Sequence, residues 1–141
     1  MTVITAAGSA LAGNPFFKPY NTPYQTIPFN ELKNEYYMPS FEEAMKQHRA
    51  EIEKIVNNPK PPTFENTIVA LDKSGELLSK VASPFYNLLS AETTDEMQKI
   101  AEELSPKMTE HSNSIRLNEK LFARVKAVYE QKDKLKLTPE Q

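Results

Sequence analysis

An all-α fold, an antiparallel bundle of about four main helices behind an extended arm rich in proline and aromatic residues, is predicted by three features of the sequence. Apolar residues recur at helical spacing through most of residues 40 to 133. Capping residues stand ahead of these runs. Nothing alternates cleanly as a strand does, and no fixed period repeats, which weakens a solenoid reading.

The arm and the helices follow in order. Residues 1–13 include the uncharged "TVITAAGSALAG", read as a flexible tail or the remnant of a targeting segment, because Ala10-Leu11-Ala12 resembles a cleavage site while the basic and fully apolar regions are missing. Residues 14–39 interleave Pro15, Pro19, Pro23, Pro28 and Pro39 with Phe16, Phe17, Tyr20, Tyr24, Phe29, Tyr36 and Tyr37. The prolines block a long helix and the aromatics supply apolar faces, so this is an extended strap laid across helices, with at most one short helix at Phe29 to Tyr37.

The first clear helix is expected at 40–57, after Pro39 as a boundary and Ser40 with Glu43 as a capping box. A loop, "NNPKPP", follows. Thr63 caps a second helix at 63–90, whose stripe Phe64, Ile68, Leu71, Gly75, Leu78, Ala82, Phe85 and Leu89 alternates steps of four and three. Gly75 and Pro84 are its weak points. Thr93 with Glu96 opens a third helix at 94–116, kinked or split at Pro106, and Asn118 caps a fourth at 118–133 with the stripe Leu121, Phe122, Val125, Val128 and Tyr129. Short loops at 57–62 and 90–93 favour antiparallel neighbours. The helical domain is thus 40–137. At 138–141, Thr138, Pro139 and Glu140 supply a cap, a first-turn proline and a first-turn acid, the start of a further helix that the chain does not complete.

Bulk properties narrow the function. The 141 residues fit one compact domain, and 17 Lys+Arg against 19 Asp+Glu leave a net charge of -2 with no basic stripe, against a nucleic-acid partner. Zero cysteines exclude disulfides, thiolate nucleophiles and Cys-bearing metal sites. No apolar stretch is long enough for a membrane span. The compartment stays open between cytoplasm and periplasm.

Catalytic signals are sparse. His48 and His111 do not begin an H-E-x-x-H, although two histidines can meet in space with carboxylates. Both lie on the apolar stripes of their helices and are read as packed or boundary residues, His48 being the better interface candidate beside Gln47, Arg49 and Glu51. Ser105 and Ser112 stand at spacings that allow contact with His111, but there is no nucleophile elbow. Acidic pairs such as Glu42/Glu43, Asp95/Glu96 and Glu102/Glu103 read as first-turn or solvent-face residues. No glycine-rich phosphate loop is possible with only Gly8, Gly13 and Gly75. No catalytic residue, metal ligand or cofactor is assigned, and substrate-binding residues stay open.

The linear order nevertheless resembles a known family. Pro28-Phe29, Tyr37-Met38-Pro39-Ser40-Phe41 and Pro62-Thr63-Phe64-Glu65-Asn66-Thr67, supported by Ser105-Pro106-Lys107 and Asn118, are similar to the N-terminal region of the zinc metallopeptidases that include peptidyl-dipeptidase, oligopeptidase A and thimet oligopeptidase. The resemblance covers about Asn14 to Gln141. It implies a parent protein, largely helical, that binds zinc through an H-E-x-x-H helix and a further glutamate downstream and cleaves short peptides in a channel between two lobes. This region would be a non-catalytic part of the lobe facing the zinc, with the catalytic lobe as its partner and short peptides as the parent's substrate. The ending at 138–141 would then be the parent's next helix, severed by a cut or by a truncated gene. Exposed apolar residues near it, Tyr129, Leu135 and Leu137, would favour self-association. The alternative is a free-standing helical module that binds another protein.

Overall fold

The computed structural model describes residues 13–138. The expected tail over residues 1–12 lies outside the described residues, and of the helix start expected at 138–141 only Thr138 is described. The fold is all-α, and the described residues form no strand. Its main helices are α1 (Asn34–Val56), α3 (Glu76–Ala91), α4 (Asp95–Arg116) and α5 (Glu119–Tyr129), with a π-helical turn (Phe64–Val69) leading into the short α2 (Ala70–Asp72).

The first helix begins six residues earlier than expected. Pro39 and Ser40 stand inside α1, whose N-cap Lys33 makes no side-chain cap bond, so neither the proline boundary nor the Ser40/Glu43 box is found. Pro39 sits in the second turn, where the bond lost is the single one to the Glu35 carbonyl. Ser40 is buried and bonds Asn14 instead: the Asn14 amide donates to Ser40 Oγ at 2.7 Å and to the Tyr36 carbonyl at 3.4 Å. Asn14 Oδ1 also accepts from the Phe16 N–H at 3.1 Å, capping the 3-10 turn Pro15–Phe17. The short helix allowed at Phe29 to Tyr37 is a 3-10 turn, Phe29–Glu31, followed by the start of α1.

That turn drives Phe16 into the core. Phe16, Tyr37, Phe41 and Phe85 form an aromatic nest with centroid separations of 5.5 Å (Phe16–Tyr37), 4.9 Å (Tyr37–Phe85) and 5.4 Å (Phe41–Phe85), tilted or edge-on as ring quadrupoles favour. Lys80 on α3 secures the strap from the other side, donating to the Phe16 and Lys18 carbonyls at 2.9 and 2.8 Å and lying 4.4 Å over the Tyr20 ring. The strap therefore docks on α1 and α3 together.

The expected helix at 63–90 is broken. Its cap is as read, Thr63 accepting from the Asn66 N–H while Asn66 Oδ1 accepts from the Thr63 N–H, but α2 ends at Asp72 and α3 starts after Gly75, whose φ is +74°. Glycine occupies this left-handed conformation without a Cβ penalty, so here it re-aims the chain rather than merely weakening a helix. Pro84 is accommodated within α3, and α4 runs through Pro106 unbroken. The cap of α4 is Thr94, one residue beyond Thr93, and Glu96 accepts from Asn34 rather than closing a box. Asn118 caps α5 through the Leu121 N–H. That helix stops at Tyr129, and a 3-10 turn, Lys132–Lys134, takes the place of its expected last turn.

Gly75 beside Glu51 and Phe85 beside Phe41 make α3 antiparallel to α1. The core is divided. A main cluster gathers Phe16, Tyr37, Phe41, Ala44, Met45, Leu78, Val81, Phe85, Met97 and Leu104. A smaller one joins Ile52, Ile55 and Leu121, with Leu71, Ile115 and Val125 packed against them.

Candidate functional site

Between the two clusters lies a layer of polar side chains. His48 follows Met45 and precedes Ile52 on α1; His111 falls between Met108 and Ile115 on α4; Ser74 falls between Leu71 and Leu78 in the turn before α3. Helical spacing thus puts one polar residue from each segment at the same level. The two histidines, 63 residues apart in sequence, meet with His111 Nε2 3.0 Å from His48 Nδ1 and ring centroids 5.0 Å apart. His48 Nε2 lies 3.1 Å from Ser74 Oγ, and His111 Nδ1 lies 3.4 Å from Arg49 Nη1.

The donor inventory fixes the direction of this chain. A guanidinium only donates, so His111 Nδ1 accepts from Arg49 and its proton sits on Nε2. That N–H donates to His48 Nδ1, which places the His48 proton on Nε2, donating to Ser74 Oγ. Ser74 passes its own hydrogen to the Leu71 carbonyl at 2.6 Å. Each ring is neutral in this arrangement. Burial lowers the pKa of both: for His48 it outweighs the nearby Glu51 carboxylate, and for His111 it is reinforced by His48 and Arg49.

Gly75 completes the layer. A Cβ built there would stand 2.9 Å from the His48 ring, and the Gly75 N–H donates to Glu51 Oε2 at 2.7 Å. The expected positions of the histidines are therefore correct in kind, His48 half-buried and His111 buried. The serine is not the expected one: Ser105 and Ser112 are exposed, and the hydroxyl that reaches a histidine is Ser74.

A hydroxyl next to an imidazole next to a second imidazole invites a nucleophilic reading, yet the polarity is opposite to what that chemistry needs. A base must hold a free lone pair toward the serine. Here Arg49 at the far end orients every donor toward Ser74, so His48 presents N–H to it. Zinc does not fit either. Its ligands would be deprotonated nitrogens converging on one point, whereas these ring nitrogens are engaged with each other, Ser74 and Arg49, and no cluster of three or more His, Cys, Asp or Glu suited to a metal occurs among the described residues. Beside the layer, an open cleft of about 460 Å³ is lined by Glu42, Met45, Arg49, Lys107, Glu110 and His111 among others, with Lys107 paired to Glu42 across α1 and α4.

A second feature is the outer side of α5. Phe122 and Tyr129, expected on its inner stripe, are 67% and 63% exposed, while Arg124 is buried in their stead. Arg124 Nη1 donates to the Asn58 carbonyl at 3.0 Å and Nη2 to Asn66 Oδ1 at 3.1 Å, tying the 57–62 loop and the Thr63 cap to α5. Leu135 and Leu137 turn back to line a groove of about 440 Å³ with Phe64, Ile68 and Val125. Among the described residues, no helix is long and apolar enough to cross a membrane.

No protein-family model matches the chain. Over 127 residues, 90% of its length, it is 45% identical to the dipeptidyl carboxypeptidase of Escherichia coli strain K12, of which it spans 19%. Over 130 residues it is 44% identical to the dipeptidyl carboxypeptidase of Salmonella typhimurium, again spanning 19%. It is 27% identical over 104 residues to oligopeptidase A of Escherichia coli, of which it spans 15%.

Proposed function

The chain is homologous over most of its length to the dipeptidyl carboxypeptidases and to oligopeptidase A, and from that premise we propose that it is a non-catalytic N-terminal helical domain of a zinc-dependent oligopeptidase or peptidyl-dipeptidase. In this reading it forms part of the lobe that walls a channel for short peptides, and the zinc-bearing lobe is its partner. The observation that carries the proposal is the 45% identity over 90% of this chain set against 19% of the relative. A wall contributes by excluding folded chains and positioning a peptide backbone, work that needs no reactive side chain. The inverted polarity of the histidine chain supports a structural rather than a bond-breaking role.

The test is a chimera. The matching stretch of the Escherichia coli dipeptidyl carboxypeptidase is replaced by this chain, and zinc content and peptide turnover are measured. Retained zinc, with kcat/KM on short peptides within about tenfold of the parent, is the expected result. A folded, zinc-loaded chimera without turnover overturns the reading, as does zinc-dependent hydrolysis by the isolated chain.

The free-standing interaction module remains as a second reading because Phe122 and Tyr129 lie seven residues apart on one exposed side of α5. It expects the isolated chain to bind a protein other than the zinc-bearing lobe, with binding abolished by Phe122→Ser with Tyr129→Ser, whereas self-association alone is expected of the first reading as well. A chain that functions in the chimera, with Phe122 and Tyr129 protected there from hydrogen exchange and labelling by the rest of the parent, removes it.

A further inference from the structure

We infer that the chain Arg49–His111–His48–Ser74 is an acid-sensitive latch, which holds α1, the turn before α3 and α4 together while both imidazoles are neutral and releases α4 when either takes up a proton. The geometry carries this. Both N–H groups already point one way, so the sole free position on each ring is the nitrogen that accepts. A proton added to His48 Nδ1 would face the His111 N–H across 3.0 Å, donor against donor. A proton added to His111 Nδ1 would face the Arg49 guanidinium at 3.4 Å, with like charges as well. His111 is only 4% exposed, so little water can reach the His48–His111 contact to take either N–H.

The surrounding charges do not cancel it. On α1, Glu51 faces the latch but already accepts the Gly75 N–H, and Arg49 opposes protonation. Glu42 on α1 and Lys107 on α4 neutralise each other at the cleft. Glu110 lines the cleft from α4. Asp72, at the end of α2, and Lys73, in the turn, are exposed and of opposite sign. For both histidines the result is a pKa lowered from the ordinary value, chiefly by burial.

The sign follows from linkage. A base whose folded-state pKa is lowered binds fewer protons folded than unfolded in the interval between the two values. The latch therefore holds fully above the unfolded value of about 6.5 and is lost as pH falls from there through the folded-state values. The guanidinium that opposes a proton on His111 Nδ1 belongs to an exposed side chain, so it can be removed without opening the core. Removing Arg49 should blunt the response to acid rather than sharpen it.

The experiment follows the imidazole ¹⁵N shifts of the intact chain from neutral to mildly acidic pH, together with hydrogen exchange of α4. Both rings should appear as neutral Nε2–H tautomers at neutral pH and titrate below the ordinary range. Exchange in residues 108–116, corrected for intrinsic chemistry, should rise about tenfold or more on acidification while Val81 to Phe85 stays protected. In Arg49→Ala the His111 titration should move up and the acid-induced rise should shrink. Ordinary titration of both rings, an Nδ1–H tautomer at either, or exchange that rises equally throughout the molecule overturns the latch.

Discussion

With φ at +74° and a would-be Cβ 2.9 Å from the His48 ring, Gly75 leaves no room for a side chain. Gly75→Ala should lower stability by about 2 kcal/mol or more, combining the left-handed penalty with displacement of His48; chemical denaturation measures it, and a loss below about 0.5 kcal/mol would mean that the turn yields freely. The sequence shows this glycine in the apolar stripe, and so suggests weakness in a helix. What it hides is that the residue before it bonds a histidine from another helix. Arg124 leaves a trace in the sequence spacing. It falls three residues after Leu121 and four before Val128, both buried, which is the inner side of α5; an arginine there signals carbonyl partners in need of donors, and the Asn58 and Lys60 carbonyls are those partners.

At the scale of elements, apolar stripes mark every main helix, while the expected caps hold at Thr63 and Asn118 and fail at Ser40 and, by one residue, at Thr93; the departures have local causes. Pro39 suggests a boundary in the sequence because proline stops helices more often than it sits in their second turn. The break at 73–75 leaves no mark in the pattern because the alternation of steps of four and three continues across it, as Leu71 and Leu78 each still face a cluster. Docking of the strap was legible from its aromatics. Its polar anchors, Asn14 and Lys80, were not, since neither residue type announces a particular partner. Lys80→Met should free the strap, speeding proteolytic cleavage within residues 18–28 and costing about 1.5 kcal/mol, the lower end for bonds to a charged donor because the ammonium is only partly buried. Unchanged cleavage in that variant would assign the docking to Phe16 and Asn14 alone.

At the scale of the molecule, two apolar clusters of the described residues are separated by a polar layer. The stripes of the individual helices could be read in the sequence; their alignment at a common level could not, because it depends on the axial register between helices. Buried polar networks are costly to break and not always costly to replace. His111→Leu alone strands the His48 acceptor and should cost about 1–3 kcal/mol. His48→Phe with His111→Leu joins the clusters through apolar rings and should fall within about 1 kcal/mol of the parent; a double-mutant cycle reads the coupling, and additive losses would show that the two imidazoles act independently. The division also sets a possible order of assembly. The buried members of the main cluster end at Leu104, the histidine pair needs residue 111, and the smaller cluster waits for Leu121. A chain leaving the ribosome with its N-terminus first can thus bury the aromatic nest, then join the histidines, then close the smaller cluster. Each step would close on surface already in place, so the direction of synthesis and the direction of packing coincide.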